Sequence, residues 1–262
     1  MNNKHKTVWV MTEKCNQKCL HCFSHPKTQN LSYEQHLKIL ENLTELGIKK
    51  IIWSGGECLL IPHLIELLKT SKEKGISNSV STNGLLLTPQ KFAQLQPVVD
   101  NIKMSLNSLD KQTNNAMISN CHPNYNNIVL NRIDMINNQN VDLYINILVS
   151  ELNKNSLPEL LQVLSTKKLS KIKLFEFSNS RGTAIKNNDM YSISHNEYNR
   201  ICAELQRDFP RLPIECLTKQ QMEKNYIRIA PDGTFEIIKN NKDIAFGNPL
   251  QKPITQETIN EI

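Results

Sequence analysis

The sequence predicts an α/β fold: a partial (β/α)6 barrel followed by a small C-terminal α+β subdomain that contains a β-hairpin. Three observations predict it. Short apolar runs alternate with longer amphipathic segments through the first two-thirds of the chain, the pattern of β/α units around a parallel sheet. Helix start and stop signals bracket the amphipathic segments. After about residue 185 the rhythm breaks, and an Asp-Gly turn joins two short apolar runs. A chain of 262 residues is long enough for one barrel-like domain, alone or with a small appendage.

The first strand is expected over residues 7–11, and the polar run behind it, which carries three cysteines, reads as a loop. Ser32 and Gln35 then stand at capping-box spacing. Leu37, Leu40, Leu43 and Leu46 form an apolar stripe of helical period, and Gly47 is placed as a C-terminal cap. Further strands are expected at 50–53, 77–81, 99–106, 142–150 and 171–177. The helices between them fall at 61–74, closed by Gly75, and at 89–95, 128–137 and 158–164. Residues 1–186 thus make the barrel and 187–262 the subdomain. In the latter, a polar stretch to Asn199 reads as a connection, 198–209 as a helix, and 227–229 with 234–238 as a hairpin turning at Asp232 and Gly233. The sequence carries no repeat beyond the β/α alternation and no low-complexity linker.

With 31 basic and 25 acidic side chains the formal charge is +6, a moderate excess that favours anionic ligands or an acidic peptide. No basic run is interleaved with aromatics, and residues 69–74 read as a solvated helix end, which argues against nucleic-acid binding. No apolar stretch approaches about 18 residues, and the first residues lack a signal-peptide core, so no membrane association is expected. A cytoplasmic location follows as an expectation, one that suits reduced thiols.

Cys15, Cys19 and Cys22 are spaced four and three residues apart on the loop after the first strand. Such a triplet can wrap one iron-sulfur cube, binding three irons and leaving the fourth open. The less favoured alternative is part of a zinc site with His21 or His25 as fourth ligand. A disulfide remnant fits less well, because seven cysteines is an odd count and no secretory signal precedes them.

In parallel α/β architectures ligands sit at the C-terminal ends of the strands. The second strand ends in Gly55, Gly56 and Glu57, where paired glycines allow close backbone approach and a carboxylate can accept from an ammonium group. A plain Gly-Gly turn with a solvated glutamate is the alternative. The third strand ends in Thr82, Asn83 and Gly84, and the helical pattern that follows argues against an Asn-Gly hairpin. Ser105 and Asn107 close the fourth strand, Asn153 follows the fifth and Arg181 the sixth. Arg181 could clamp a carboxylate or be an ordinary surface arginine.

The CxxxCxxC loop, with Asn16 after its first cysteine and His21 before its third, and Gly55-Gly56-Glu57 about 35 residues on, resembles the radical S-adenosylmethionine (radical SAM) superfamily. Within it the chain is most similar to the peptide-modifying branch with a SPASM or twitch extension. The resemblance runs from Val8 to Gly182. It continues more weakly through 227–237 and Phe246-Gly247-Asn248-Pro249. It implies a TIM-like partial barrel and one [4Fe-4S] cluster on Cys15, Cys19 and Cys22. It also implies S-adenosylmethionine (SAM) held by His21, Gly55, Gly56, Glu57, Thr82, Asn83, Ser105, Asn107, Asn153 and Arg181, and an external one-electron reductant such as flavodoxin or ferredoxin. The implied chemistry is reductive cleavage of SAM to a 5′-deoxyadenosyl radical and hydrogen abstraction from a ribosomally made peptide, by epimerisation or cross-linking. A small metabolite is the runner-up substrate, and a non-catalytic zinc or iron-sulfur scaffold is the rival of another class.

Two departures stand out. Asn107 replaces the aspartate usual in the family, and Glu236, Ile237 and Ile238 fill the stretch where the extension supplies auxiliary-cluster cysteines. With only Cys202 and Cys216 left in that region, one cluster is expected. Cys202 reads as a small buried hydrophobe. Cys58, Cys121 and Cys216 are candidate hydrogen-atom donors or pocket residues.

Overall fold

The computed structural model describes residues 5–23, 31–223, 227–239 and 242–260. The six expected strands form within two residues of their predicted bounds: β1 (Lys6–Val10), β2 (Lys50–Ser54), β3 (Ser77–Thr82), β4 (Asn101–Ser105), β5 (Asp142–Val149) and β6 (Lys171–Glu176). Each pairs with the next in parallel. The connecting helices are α1 (Tyr33–Glu45), α2 (Leu64–Glu73), α3 (Pro89–Leu95), α4 (Lys111–Met117), α5 (Tyr125–Asn137) and α6 (Leu157–Leu164). In α1 the capping box closes, with Ser32 Oγ accepting from the Gln35 amide and the Gln35 side chain accepting from the Ser32 amide. Gly47 takes φ +68° behind it. Helix α4 was not expected. Its sequence carries no apolar stripe, and it starts because Asp110 accepts from the Thr113 amide at 2.7 Å.

Alternation along the strands sorts the side chains by face. Trp9 and Trp53 point toward the helices and stack at 5.1 Å, and Trp53 Nε1 donates to Asn78 Oδ1 at 2.8 Å. Asn78 Nδ2 in turn donates to the Leu68 and Val98 carbonyls, so this buried polar group is satisfied. Both tryptophans are fully buried, and truncating either would cost about 3–5 kcal/mol. The opposite parity faces away from the helices and is far more polar, with Lys50, Ser79, Ser81, Lys103 and Ser105 on three consecutive strands.

Beyond β6 come α7 (Thr183–Lys186), α8 (Asn188–Tyr191), α9 (His195–Asp208), β7 (Ile214–Leu217), α10 (Lys219–Glu223), β8 (Ile227–Ile229), β9 (Phe235–Lys239), β10 (Lys242–Gly247) and α11 (Gln256–Asn260). The stretch read as a connection holds α8 and the start of α9. The expected hairpin is β8–β9, with Gly233 at φ +85°. Strand β7 extends β6 in parallel, β8 pairs in parallel with β1, and β10 adds antiparallel to β9. The described sheet therefore runs β10-β9-β8-β1-β2-β3-β4-β5-β6-β7. Segments after residue 187 supply both of its margins, and an ion pair of 2.6 Å from Arg181, after β6, to Asp243 on β10 links one side to the other.

Candidate active site

Four anchors hold the cysteine loop. The first continues the β1–β2 pairing past the strand ends: the Gly56 amide donates to the Thr12 carbonyl at 2.7 Å and the Glu57 amide to the Lys14 carbonyl at 2.9 Å. A Cβ on Gly55, at φ +152°, would lie 2.5 Å from the Thr12 oxygen, and one on Gly56 would lie 2.4 Å from the Lys14 oxygen. The glycine pair therefore serves close approach to the cysteine loop itself. The second anchor is antiparallel, with the Leu20 amide donating to Met117 and the Ser119 amide to Lys18 around a Cys19–Ile118 bridge. In the third, Thr183 Oγ1 donates to the Cys19 carbonyl at 3.0 Å and accepts from the Cys22 amide at 3.1 Å. The fourth is Asn83, whose Nδ2 donates to Asn16 Oδ1 at 2.7 Å and lies 3.7 Å from Cys15 Sγ.

These anchors set Cys15, Cys19 and Cys22 on one cleft of about 530 Å³, within the size range of small-molecule sites. His21, Gly55, Gly56, Thr82, Asn83, Ser105 and Asn107 line the same cleft. Burial first, then the neighbouring Cys22, Cys15 and Cys121 thiols, push the Cys19 thiol up to about 12; Cys15 is also raised, chiefly by burial. Thiolates here need a cation to offset both effects, and three thiols are a soft donor set suited to iron-sulfur ligation. Among the described residues no group of three or more His, Cys, Asp or Glu is gathered to hold a single metal ion. His21 packs on Tyr191 at 5.6 Å between ring centres, its Nδ1 is buried without a partner, and burial lowers it to about 4. His25, the other candidate zinc ligand, lies outside the described residues.

Six candidate residues do not line this cleft. Glu57 is fully buried, and its carboxylate accepts from the Leu59 amide, Thr82 Oγ1 and the Asn83 amide, so it braces the β2 turn against the β3 turn. Asn153 is fully buried with its amide spent on the Asn107 and Leu148 carbonyls and its oxygen on Ser150. Arg181 is turned to Asp243. Cys58 is fully buried, donates to the Ser81 carbonyl at 3.2 Å, and is held well up by burial. Cys121 lines a separate cleft beside His122, and Cys216 faces Cys202 between β7 and α9. Asn107 does line the main cleft, but its Oδ1 accepts from the Leu148 amide at 2.9 Å, so it ties β4 to β5.

Gln17, Tyr125 and Thr183 also line the cleft. Tyr125 donates to the Ser105 carbonyl at 3.0 Å, and burial raises its hydroxyl. Gln17 lies within the cysteine motif, whereas Tyr125 and Thr183 sit at no strand end and in no spaced motif, so only proximity in the fold reveals those two.

The profile of the Radical SAM superfamily matches residues 9–164. An S-adenosylmethionine-dependent nucleotide dehydratase from Flammeovirga pacifica is 29% identical over 238 residues, covering 85% of this chain and 79% of that protein. Another from Lacinutrix mariniflava is 24% identical over 235 residues, and there the match covers 48% of the relative. Among solved structures, SuiB of Streptococcus suis bound to its precursor peptide SuiA superposes with a TM-score of 0.79 at 15% identity, over 95% of this chain and 63% of SuiB. The enzyme anSMEcpe with bound AdoMet gives a TM-score of 0.75 at 15% identity, over 96% and 79%. The chain thus spans about half of the Lacinutrix protein and less than two thirds of SuiB.

Proposed function

The chain belongs to the radical SAM superfamily, whose members use a [4Fe-4S] cluster and SAM, and we propose that it is an enzyme removing a hydrogen atom from a substrate lodged on the helix-free face of the sheet. The observation that carries this reading is the single cleft that gathers three thiols with the ends of β2, β3 and β4. Cys15, Cys19 and Cys22 would hold the cluster, and Thr82, Asn83 and Ser105 would meet SAM. With an external one-electron donor, that pair of cofactors would supply the radical chemistry of hydrogen abstraction. The chain's own part is positional. Gly55 and Gly56 seat the loop, Glu57 fixes the Thr82–Asn83 turn, and Thr183 closes over the Cys19 and Cys22 backbone.

Two substrate classes have support. The Flammeovirga relative matches most of this chain and is a nucleotide dehydratase, which favours a nucleotide. The likeness to SuiB bound to its precursor peptide favours a peptide through shape alone. Anaerobic reconstitution followed by iron analysis and assay for 5′-deoxyadenosine tests the enzyme reading. About four irons per chain and reductant-dependent 5′-deoxyadenosine are expected. One tightly bound zinc without SAM cleavage would leave a scaffold instead.

A further inference from the structure

Cys202 and Cys216 meet at one margin of the sheet. Strand β7 ends the described sheet on that side, and its register sets Cys216 beside Leu174 of β6. Paired residues in parallel strands point the same way, and Leu174 is fully buried on the helix side, so Cys216 faces the helices too. Helix α9 lies over this spot, because Tyr198 Oη donates to the Leu174 carbonyl at 2.8 Å. Cys202 follows Tyr198 by four residues, one turn along the same buried face of α9. Register and helical period thus bring the two cysteines together, and their side chains hydrogen-bond to each other.

The two thiols differ in access and in acidity. Cys202 is 5% exposed, whereas Cys216 is partly open at the sheet edge. The hydrogen bond from Cys216 is the chief influence on Cys202 and lowers it, so a thiolate forms there while Cys216 keeps its proton. One buried cysteine fills a core gap as a small apolar side chain does, but packing calls for no second thiol against it. A thiolate beside a resolving thiol, reachable from an edge, is the arrangement that oxidises to a disulfide. The position matters because α9 ends the run that grips the cysteine loop. Thr183 and Asn187 bind the backbone of Cys19, Leu20 and Cys22, Tyr191 packs on His21, and His195 in the first turn of α9 meets Glu176 of β6 at 3.2 Å.

We propose that Cys202 and Cys216 are an oxidation site, where hydrogen peroxide joins them in a disulfide that latches α9 to β7 and keeps the gripping segment in place while the cysteine loop is without its cluster. The Cys202 thiolate attacks one peroxide oxygen. The O–O bond breaks, hydroxide leaves and takes up the proton that Cys202 released, and the sulfur becomes a sulfenic acid. The Cys216 thiol then attacks that sulfur; the S–O bond breaks, the S–S bond forms, and a second water leaves with the Cys216 proton. Two thiols lose two electrons and the peroxide gains them. Closing the bond draws the sulfurs from hydrogen-bond contact to about 2.05 Å. The oxidation itself is independent of what the cleft binds. Its use as a latch rests on the reading of Cys15, Cys19 and Cys22 as cluster ligands.

The test exposes the reconstituted full chain to hydrogen peroxide, blocks free thiols with N-ethylmaleimide, and maps a tryptic digest by mass without reductant. Trypsin frees Cys202 within residues 201–207 and Cys216 within 212–219, so the disulfide appears as one joined species. It is expected to vanish with dithiothreitol and to form undiminished in a variant combining Cys15→Ser, Cys19→Ser and Cys22→Ser. In that variant the oxidised chain is expected to melt about 5 °C or more above the reduced one, because the cross-link restrains the unfolded chain. Adding Cys216→Ser removes both the joined species and the shift. Without peroxide, the wild-type chain and the single Cys216→Ser variant are expected to load iron equally. After peroxide, reduction and a second reconstitution, the wild-type chain is expected to regain at least twice the iron of Cys216→Ser. Absence of the joined species, an unchanged melting temperature or equal iron recovery overturns the proposal. Failure of SAM cleavage with the joined species present would remove the proposed function and leave the oxidation site standing.

Discussion

Asn83 Nδ2 donates to Asn16 Oδ1 at 2.7 Å, joining the turn after β3 to the residue that follows the first clustered cysteine. The same Asn83 gives its backbone amide to Glu57 at 2.9 Å, so one residue couples three strand ends. Asn83→Ala removes the tie to the cysteine loop. A loss of about 1–2 kcal/mol in SAM affinity is expected, together with lower iron retention during gel filtration of the reconstituted protein. Unchanged affinity and iron content would show that the other three anchors suffice.

Gly56→Ala places a Cβ 2.4 Å from the Lys14 carbonyl oxygen, a backbone atom that has no rotamer to change. The loop must shift or the β1–β2 pairing beyond the strand ends must open. Destabilisation of about 1–3 kcal/mol is expected in urea unfolding of the metal-free chain, with a further loss of iron on reconstitution. Gly47→Ala is the control: a new Cβ meets nothing within 4 Å, and only its φ of +68° opposes the change.

His36 gives a pH dependence of known sign. It is buried against Trp9, shares a 2.8 Å hydrogen bond with His63, and is lowered from 6.5 to about 4 by burial first and then by His63. The unfolded chain then binds more protons than the folded one between these values, so the stabilisation is full above 6.5 and lost as pH falls toward 4. His36→Phe is expected to flatten stability against pH across that window, as followed by thermal melts from pH 7 to 4. An unchanged slope would assign the acid sensitivity elsewhere.

The Arg181–Asp243 pair is largely shielded, with side chains 16% and 20% exposed, and Arg228 approaches the same carboxylate at 3.7 Å. A double-mutant cycle with Arg181→Met and Asp243→Asn is expected to give a coupling energy of about 1–3 kcal/mol in denaturant unfolding. If Arg181 instead served a substrate carboxylate, the coupling would vanish and the single arginine variant would change KM alone.

Much of the architecture was legible because its signals are local. The Ser32–Gln35 box, the leucine stripe behind it and the Asp232–Gly233 turn each act within a few residues, and each formed where expected. Helix α4 and strand β7 were not legible, since one depends on a single aspartate cap and the other on pairing with β6, which ends almost forty residues earlier. Of the site residues, those whose backbone turns face the cleft were found by position at strand ends. Those whose side chains brace the turns, Glu57 and Asn153, look the same in sequence as ligand contacts, because a carboxylate or amide shows its partner only in three dimensions.

The sequence by itself determined the thiol triplet, the order of the β/α units and the family to which they belong, because cysteine spacing, capping and hydrophobic period are properties of neighbouring residues. Only the tertiary structure decided that Gly55 and Gly56 make room for the cysteine loop and that Arg181 answers Asp243. Each of those relations is set by strand register and sheet order, which bring together side chains that lie far apart along the chain.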